Sequence, residues 1–172
     1  IEMARETRPL KPSVLDKLIG GLARIKGDGS RDIAPCYIAA LDRFNETELR
    51  SCVMRDISWI LNDIHFAAAI PLDDFPEVRS SVLNQGVPDL TSMTVNRTTF
   101  EQRARDLTDA VRTFEPRLVS QSINVSFDKA TTDDDNKLRF TIQGELKGAL
   151  DDRYVEFKTS VALETGEVVV SS

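Results

Sequence analysis

The stretch Phe114-Glu115-Pro116-Arg117-Leu118 marks the junction between two differently patterned halves of this chain. Before it, apolar residues recur at the three- and four-residue steps of an amphipathic helix, whereas after it they alternate with polar residues as in a half-buried strand. Pro116 has no backbone N–H and does not continue a helix. The junction therefore predicts that helices come first and strands follow.

Three helical patterns lie between Glu46 and the junction. The first has one apolar face, formed by Leu49, Val53, Ile57, Ile60, Leu61 and Ile64. A shorter helix is predicted over Glu77–Leu83, ending near Gly86, and the last pattern carries Phe100, Ala104, Leu107, Val111 and Phe114. Each apolar stripe is typical of a helix that packs on a core through one face.

Four strand patterns follow the junction. The apolar residues that share a parity are Ile123, Val125 and Phe127; Leu138, Phe140 and Ile142; Val155, Phe157, Val161 and Leu163; and the short run Val168-Val169-Val170. Polar linkers at Thr131–Asn136 and Asp151–Arg153, and the pair Thr165-Gly166, suit hairpin turns. The sequence thus predicts an α+β fold, with an N-terminal arm and helices packed on one face of an antiparallel β-meander.

The first 45 residues are interpreted as an arm and linker, and residues 46–172 as the folded domain. Ser13 is predicted to cap a short helix whose apolar stripe is Val14, Leu15, Leu18, Ile19 and Leu22. A helix this short is marginally stable alone. Its stripe must therefore pack either on its own domain or on a partner.

Composition excludes some classes of function. With 41% hydrophobic and 29% charged residues, the chain has the make-up of an ordinary folded domain. Its net charge of −6 disfavours nucleic-acid binding, which needs clustered Lys and Arg. No apolar run approaches the roughly 20 residues of a membrane span, so direct membrane insertion is not expected. The two cysteines, Cys36 and Cys52, are interpreted as reduced thiols, although a disulfide between them stays open.

No catalytic, cofactor-binding or metal-binding residues are predicted. His65 is the only histidine, and Asp133-Asp134-Asp135 lacks the alternating spacing of a calcium loop. Glu115 is the most conspicuous carboxylate, but Arg117 nearby favours its ionised form, which is the wrong direction for a general acid. Two interpretations of this charge pair stay open: local stabilisation of the helix–strand junction, or contact with a partner subunit. Both can hold together.

Several segments together resemble the baseplate subunit of the type VI secretion system, TssE, and a related wedge protein of contractile phage tails once labelled a lysozyme. The most specific are Phe114–Leu118, Val82–Asn84, Gly86–Leu90, the lead-in Leu10–Asp16 and the helix Leu49–Leu61. The resemblance covers nearly the whole chain and implies an assembly component instead of an enzyme.

By that resemblance, the protein would lie in the bacterial cytoplasm, in a baseplate docked at the inner membrane complex. The arm, through Leu10, Pro12, Val14, Leu15 and Leu18, would join two larger wedge subunits. The domain would anchor the first ring of the contractile sheath. A regulator that blocks an adaptor of proteolysis has the same fold and is the alternative binding function. A peptidoglycan hydrolase is the alternative from another class.

The last strand, Val168-Val169-Val170, is predicted to be an uncovered sheet edge. It contains neither the charges nor the prolines with which proteins usually protect such edges. Because sheath subunits of the resembled machines exchange strands, this edge is the predicted sheath contact. Val169→Pro is accordingly predicted to fold and join the wedge but not to start sheath assembly.

Overall fold

The computed structural model describes residues 10–22, 44–89, 91, 97–127, 137–149, 153–162 and 164–171. The helices are α1 (Val14–Leu22), α2 (Glu46–Asn62), α3 (Pro76–Arg79) and α4 (Arg97–Phe114), and the strands are β1 (Asn124–Phe127), β2 (Lys137–Glu145), β3 (Tyr154–Ala162) and β4 (Val168–Ser171). Short 3-10 turns lie at Phe66–Ala68, Val82–Asn84 and Ser120–Ser122. The predicted order of helices followed by strands is confirmed.

Helix α2 begins at a reciprocal cap. The Asn45 side chain accepts hydrogen bonds from the backbone N–H groups of Thr47 (2.8 Å) and Glu48 (3.2 Å), and the Glu48 carboxylate accepts one from the Asn45 N–H (3.3 Å). This arrangement satisfies backbone donors that have no partner inside the helix. The predicted apolar face is buried from Leu49 to Leu61, whereas Ile64 lies beyond the helix and is exposed.

The four strands form one antiparallel sheet in the order β1-β2-β3-β4. Val125 pairs with Ile142, Ile142 pairs with Phe157, and Val161 pairs with Val168. Alternate residues of β2 and β3 are buried, and they join α2 and α4 in a single core. The predicted α+β fold, with helices on one face of a meander, is therefore confirmed.

The segment that links α2 to α4 differs from its prediction. Instead of one helix over Glu77–Leu83, there are two short pieces, Pro76–Arg79 and Val82–Asn84. The Ser81 hydroxyl accepts a hydrogen bond from the Leu83 N–H, which favours a new start over continuation of the first helix. Gly86 has φ 127°, and a Cβ there would lie 2.5 Å from the Asp63 carbonyl oxygen, so this close approach requires glycine.

Some sequence predictions lie outside the described residues. These are the turn Thr131–Asn136 with its three aspartates, Cys36, Asp151, Leu163 and the side chains of Ile19 and Leu22. The turn at Thr165-Gly166 is confirmed, and Gly166 has φ 72°. Cys52 is a free, fully buried thiol on α2.

Candidate assembly interface

The junction between α4 and β1 is closed by a charge pair. Arg117 donates from Nε to one carboxylate oxygen of Glu115 (2.7 Å) and from Nη2 to the other (2.5 Å). The backbone N–H of Arg117 donates to the same carboxylate at 3.0 Å. The Glu115 side chain is 0% exposed. This geometry is local stabilisation of the junction, and Pro116 forms the turn that permits it.

The pair continues into a longer network that reaches the arm. Arg117 also donates from Nη2 to Asp56 on α2, and Asp56 accepts a bond from Nε of its neighbour Arg55 at 2.6 Å. Arg55 then donates from Nη2 to Asp16 of α1 at 2.7 Å. Five side chains of alternating sign thus connect α1, α2 and the α4–β1 junction.

Asp16 is the point at which the arm is attached. Its carboxylate accepts bonds from the backbone N–H (2.8 Å) and the hydroxyl (2.7 Å) of Ser13, and the Asp16 N–H donates to that hydroxyl at 3.1 Å. The predicted cap at Ser13 is confirmed by this reciprocal pattern. Asp16 itself is only 1% exposed. Asp16 therefore completes the cap of α1 and also holds the arm on the domain.

The contacts of Asp16 and Arg117 favour the charged forms of these two side chains. Burial opposes ionisation of Asp16, but its hydrogen bonds from Ser13 and Arg55 outweigh this effect and lower the pKa of Asp16. Burial likewise opposes the charged form of Arg117, whereas its bonds to Glu115 and the charge of Asp56 raise the Arg117 pKa further. Next to Asp16, burial followed by the Asp16 charge raises the pKa of the Cys52 thiol to about 12. Cys52 is therefore a protonated, unreactive thiol beneath the arm.

Three members of the apolar stripe of α1 have described side chains, and all three are exposed. Val14 is 74% exposed, Leu15 44% and Leu18 62%. Leu10 instead packs against the core near Gly148, and Pro12 is half-buried. The stripe was expected to pack either on its own domain or on a partner. Its side chains that the structure describes do not pack on the core, so they are available to a partner.

The edge strand β4 is partly protected by α2. The Asn62 side chain accepts from the Val168 N–H and donates to the Val168 carbonyl, both at 2.9 Å. The backbone groups of Val168 therefore point away from β3. Since direction alternates along a strand, those of Val169 point toward β3 and those of Val170 point outward. Val168 is also buried, so Val170 is the residue of β4 whose backbone groups point outward from the sheet edge.

This register corrects the choice of test substitution. Val169→Pro would remove a donor that faces β3 and would damage the sheet itself. Val170→Pro removes an outward donor and leaves the ladder between β3 and β4 intact. The 57% exposed side chain of Val169 lies on the outer face of the sheet.

Sequence reasoning missed the roles of Asp16, Arg55 and Asp56. Arg55 and Asp56 lie between the apolar positions of α2, and this pattern predicts that their side chains are exposed to solvent. Arg55 is instead only 7% exposed. The guanidinium also lies 4.9 Å from the centre of the Trp59 ring. One signal was available: adjacent opposite charges, Arg55-Asp56, inside the strongest helical pattern, with Glu115-Arg117 as possible counterparts.

The sequence model of the family described as baseplate wedge protein gp25 matches residues 47–149. This chain belongs to that family. A comparison with curated proteins gave no match. The predicted relationship to baseplate wedge subunits is confirmed, and the family is one of structural baseplate proteins.

The family match contains four of the five network residues. Arg55, Asp56, Glu115 and Arg117 lie inside it, whereas Asp16 lies before it. Within the described residues, no group of three or more His, Cys, Asp and Glu is arranged to hold a metal ion. None of the helices in the described ranges is long and apolar enough to cross a membrane.

A second apolar surface lies on the segment between α2 and α4. Its exposed members are Ile64, Phe66, Ile70, Phe75, Val82 and Leu83. The segment is attached to the domain by the bridge between Ile64 and Val87 and by the Asn84 side chain, which binds the Ala67 N–H (2.8 Å) and the Arg79 carbonyl (2.9 Å). These exposed apolar side chains make the segment a second candidate contact with other proteins.

Proposed function

We propose that this protein is a wedge subunit in the baseplate of a type VI secretion system, and that it joins larger wedge subunits through α1 and the contractile sheath through β4. The observation that carries the first part is the orientation of α1. Its polar residue Asp16 is buried in the domain, while Val14, Leu15 and Leu18 are exposed. An amphipathic helix normally buries its apolar face, so this orientation is suited to a helical groove or bundle on a partner.

The proposed sheath contact is supported by the edge position of β4 and by the outward backbone groups of Val170. An incoming strand would gain main-chain hydrogen bonds at Val170 and a contact with the exposed side chain of Val169. In this proposal, Glu115 and Arg117 position the arm. They have this role because Glu115 is buried and Arg117 binds it through two nitrogens. The setting would be the bacterial cytoplasm, with the baseplate docked on a membrane complex.

Co-expression with the neighbouring wedge subunits tests the role of the arm. We expect Val14→Asp combined with Leu18→Asp to leave the melting temperature unchanged, since both side chains are exposed, and to reduce recovery with the wedge at least tenfold. Lys17→Ala, an exposed change on the same helix, is the matched control and should be recovered normally. Recovery of the double variant at the wild-type level contradicts the proposal.

The same pull-down separates the alternatives. Recovery of a response regulator in place of wedge and sheath subunits would indicate the regulator of proteolysis. The assignment of two separate surfaces would be supported if the wild type recovers wedge and sheath subunits, the α1 variant loses the wedge subunits and Val170→Pro loses the sheath subunits.

A further inference from the structure

The outer face of the sheet, opposite the helices, is divided by charge. At one end, Gln143 donates to Glu156 at 3.0 Å, and Arg153 lies 3.8 Å from Glu145. The other end carries Lys137, Arg139 and Lys158, all exposed. Among the described residues, none of these three cations lies within ion-pair distance of a carboxylate. These three residues form a basic cluster.

Strand register brings the basic cluster together. Arg139 pairs with Ser160, and Lys158 pairs with Thr141, so Arg139 and Lys158 are diagonal neighbours on the same face. Diagonal neighbours lie about 7–8 Å apart, and Lys137 lies two residues before Arg139 on the same strand. Like charges at this spacing repel one another. An anion that lies between the cations relieves this local repulsion.

A shallow depression lies between two members of the basic cluster, Arg139 and Lys158. Its volume is about 320 Å³, and its lining includes Arg139, Thr141, Lys158, Ser160 and Val169. Two cations and two hydroxyl groups provide the donors that a carboxylate requires. Val169 and Ser171 belong to the edge strand, so the depression borders the place where the proposed incoming strand would pair.

We propose that this depression binds an acidic segment of a baseplate or sheath partner, with one carboxylate above Ser160 between Arg139 and Lys158. The proposal rests on the proposed function and adds the chemistry of the partner. An acidic protein segment fits better than a nucleic acid, because the cluster has only three cations and the carboxylates of Glu145 and Glu156 on the same face would repel a continuous phosphate backbone.

Charge-altered variants provide the test in the assembled complex. We expect Arg139→Glu combined with Lys158→Glu to lower recovery with wedge and sheath subunits at least tenfold at 50 mM salt, and wild-type recovery to fall as salt is raised. Arg105→Glu combined with Lys147→Glu, which makes the same change of net charge at exposed positions elsewhere, should change recovery less than twofold. Equal recovery of the two double variants would overturn the proposal and leave the proposed function standing.

If the wild-type chain does not join a wedge, that result counts against the proposed function alone. A direct titration with a peptide still tests the acidic-segment proposal in that case. The probe is an octapeptide of alternating Glu and Ser, and binding is followed by NMR shifts of the amides of Arg139, Lys158 and Ser160. We expect shifts in the wild type and in the Arg105 and Lys147 control, and none in the reversed variant. Absence of wild-type shifts, or tighter binding of an eight-residue oligothymidylate, would overturn the proposal.

A neutral variant tests whether the cations are already paired within their own chain. Arg139→Gln combined with Lys158→Gln removes the repulsion, so its melting temperature should equal or exceed that of the wild type. A fall of several degrees would mean that the basic cluster stabilises the isolated fold, and this would also overturn the proposal.

Discussion

Replacing Asp16 by Asn should release the arm without unfolding the domain. In the native chain one carboxylate oxygen accepts both bonds from Ser13, and the other accepts the bond from Arg55 Nη2 at 2.7 Å. An amide offers one acceptor oxygen and one NH₂ group. If the amide oxygen faces Arg55, the NH₂ group meets the backbone N–H donor of Ser13. If the NH₂ group faces Arg55, the charge-assisted bond to Arg55 is lost. A hydrogen bond to a charged group contributes about 1.5–3 kcal/mol.

The loss in free energy of unfolding is limited, because the arm can detach while the domain stays folded. Breaking a fully buried ion pair costs about 3–5 kcal/mol, because the remaining charge stays away from water. Within the described part of the chain, Nη1 of Arg55 already has no hydrogen-bond partner. Here α1 can detach instead, since a helix of nine residues is marginal alone and its detachment lets water reach Arg55. We therefore expect the free energy of unfolding to fall by about 1.5–3 kcal/mol.

Labelling of Cys52 with a thiol reagent reports this detachment. Its thiol is fully buried, and its pKa is raised to about 12, so it reacts only when the arm opens. In a Cys36→Ser background at pH 8, Asp16→Asn should accelerate labelling about 10- to 100-fold, which is the same free-energy change expressed as a rate ratio. The matched control is Asp63→Asn, an exposed aspartate just after α2. Unchanged labelling and an unchanged urea midpoint would refute the proposed attachment.

Other predictions follow from the same contacts. Arg117→Ala leaves Glu115 buried without its cation and should cost about 3 kcal/mol in urea denaturation, so a change within about 0.5 kcal/mol would contradict the network. Val170→Pro should lower the melting temperature only slightly, because the Val170 side chain is partly buried against the core, and should not start sheath assembly. Val169→Pro should lower that temperature more, and the reverse order would show that the assigned register is wrong. Because the pKa of Asp16 is lowered by folding, its stabilisation is present above about pH 4 and is lost as pH falls further, which hydrogen exchange in α1 should detect between pH 5 and 2.5. Purified protein should not hydrolyse peptidoglycan, and hydrolysis that disappears in Glu115→Gln would overturn the structural role.

Local patterns predicted most of the secondary structure because each element has one strong physical signal. The apolar stripe from Leu49 to Leu61 can be buried only as a helix, and the alternation around Phe140 can be buried only as a strand. The linker from Asp63 to Pro88 was predicted less well. Its short turns depend on Ser81 and on the close approach at Gly86, and neither produces a periodic pattern.

The candidate interface was harder to predict because its residues are far apart in sequence. Arg55 binds Asp16 across 39 positions, and Arg117 binds Asp56 across 61. No spacing rule connects such pairs. The sequence did identify Glu115 with Arg117 and the apolar stripe of α1, but it did not indicate that one network joins them.

The network gives a physical reason for the orientation of the arm. A hydrophobic contact alone would dock α1 through Val14, Leu15 and Leu18, because those side chains gain most from burial. The buried charge of Asp16 reverses that preference, since its only cationic partner in the described structure is Arg55 on α2. Polar attachment is directional, so it fixes which face of the helix points outward even where it adds little net stability. Arg55 is in turn held by Asp56, and Asp56 is shared with Arg117 at the helix–strand junction. The charges from Asp16 to Glu115 therefore leave Val14, Leu15 and Leu18 exposed. If the proposed function is correct, a change at the junction should alter assembly through the position of the arm.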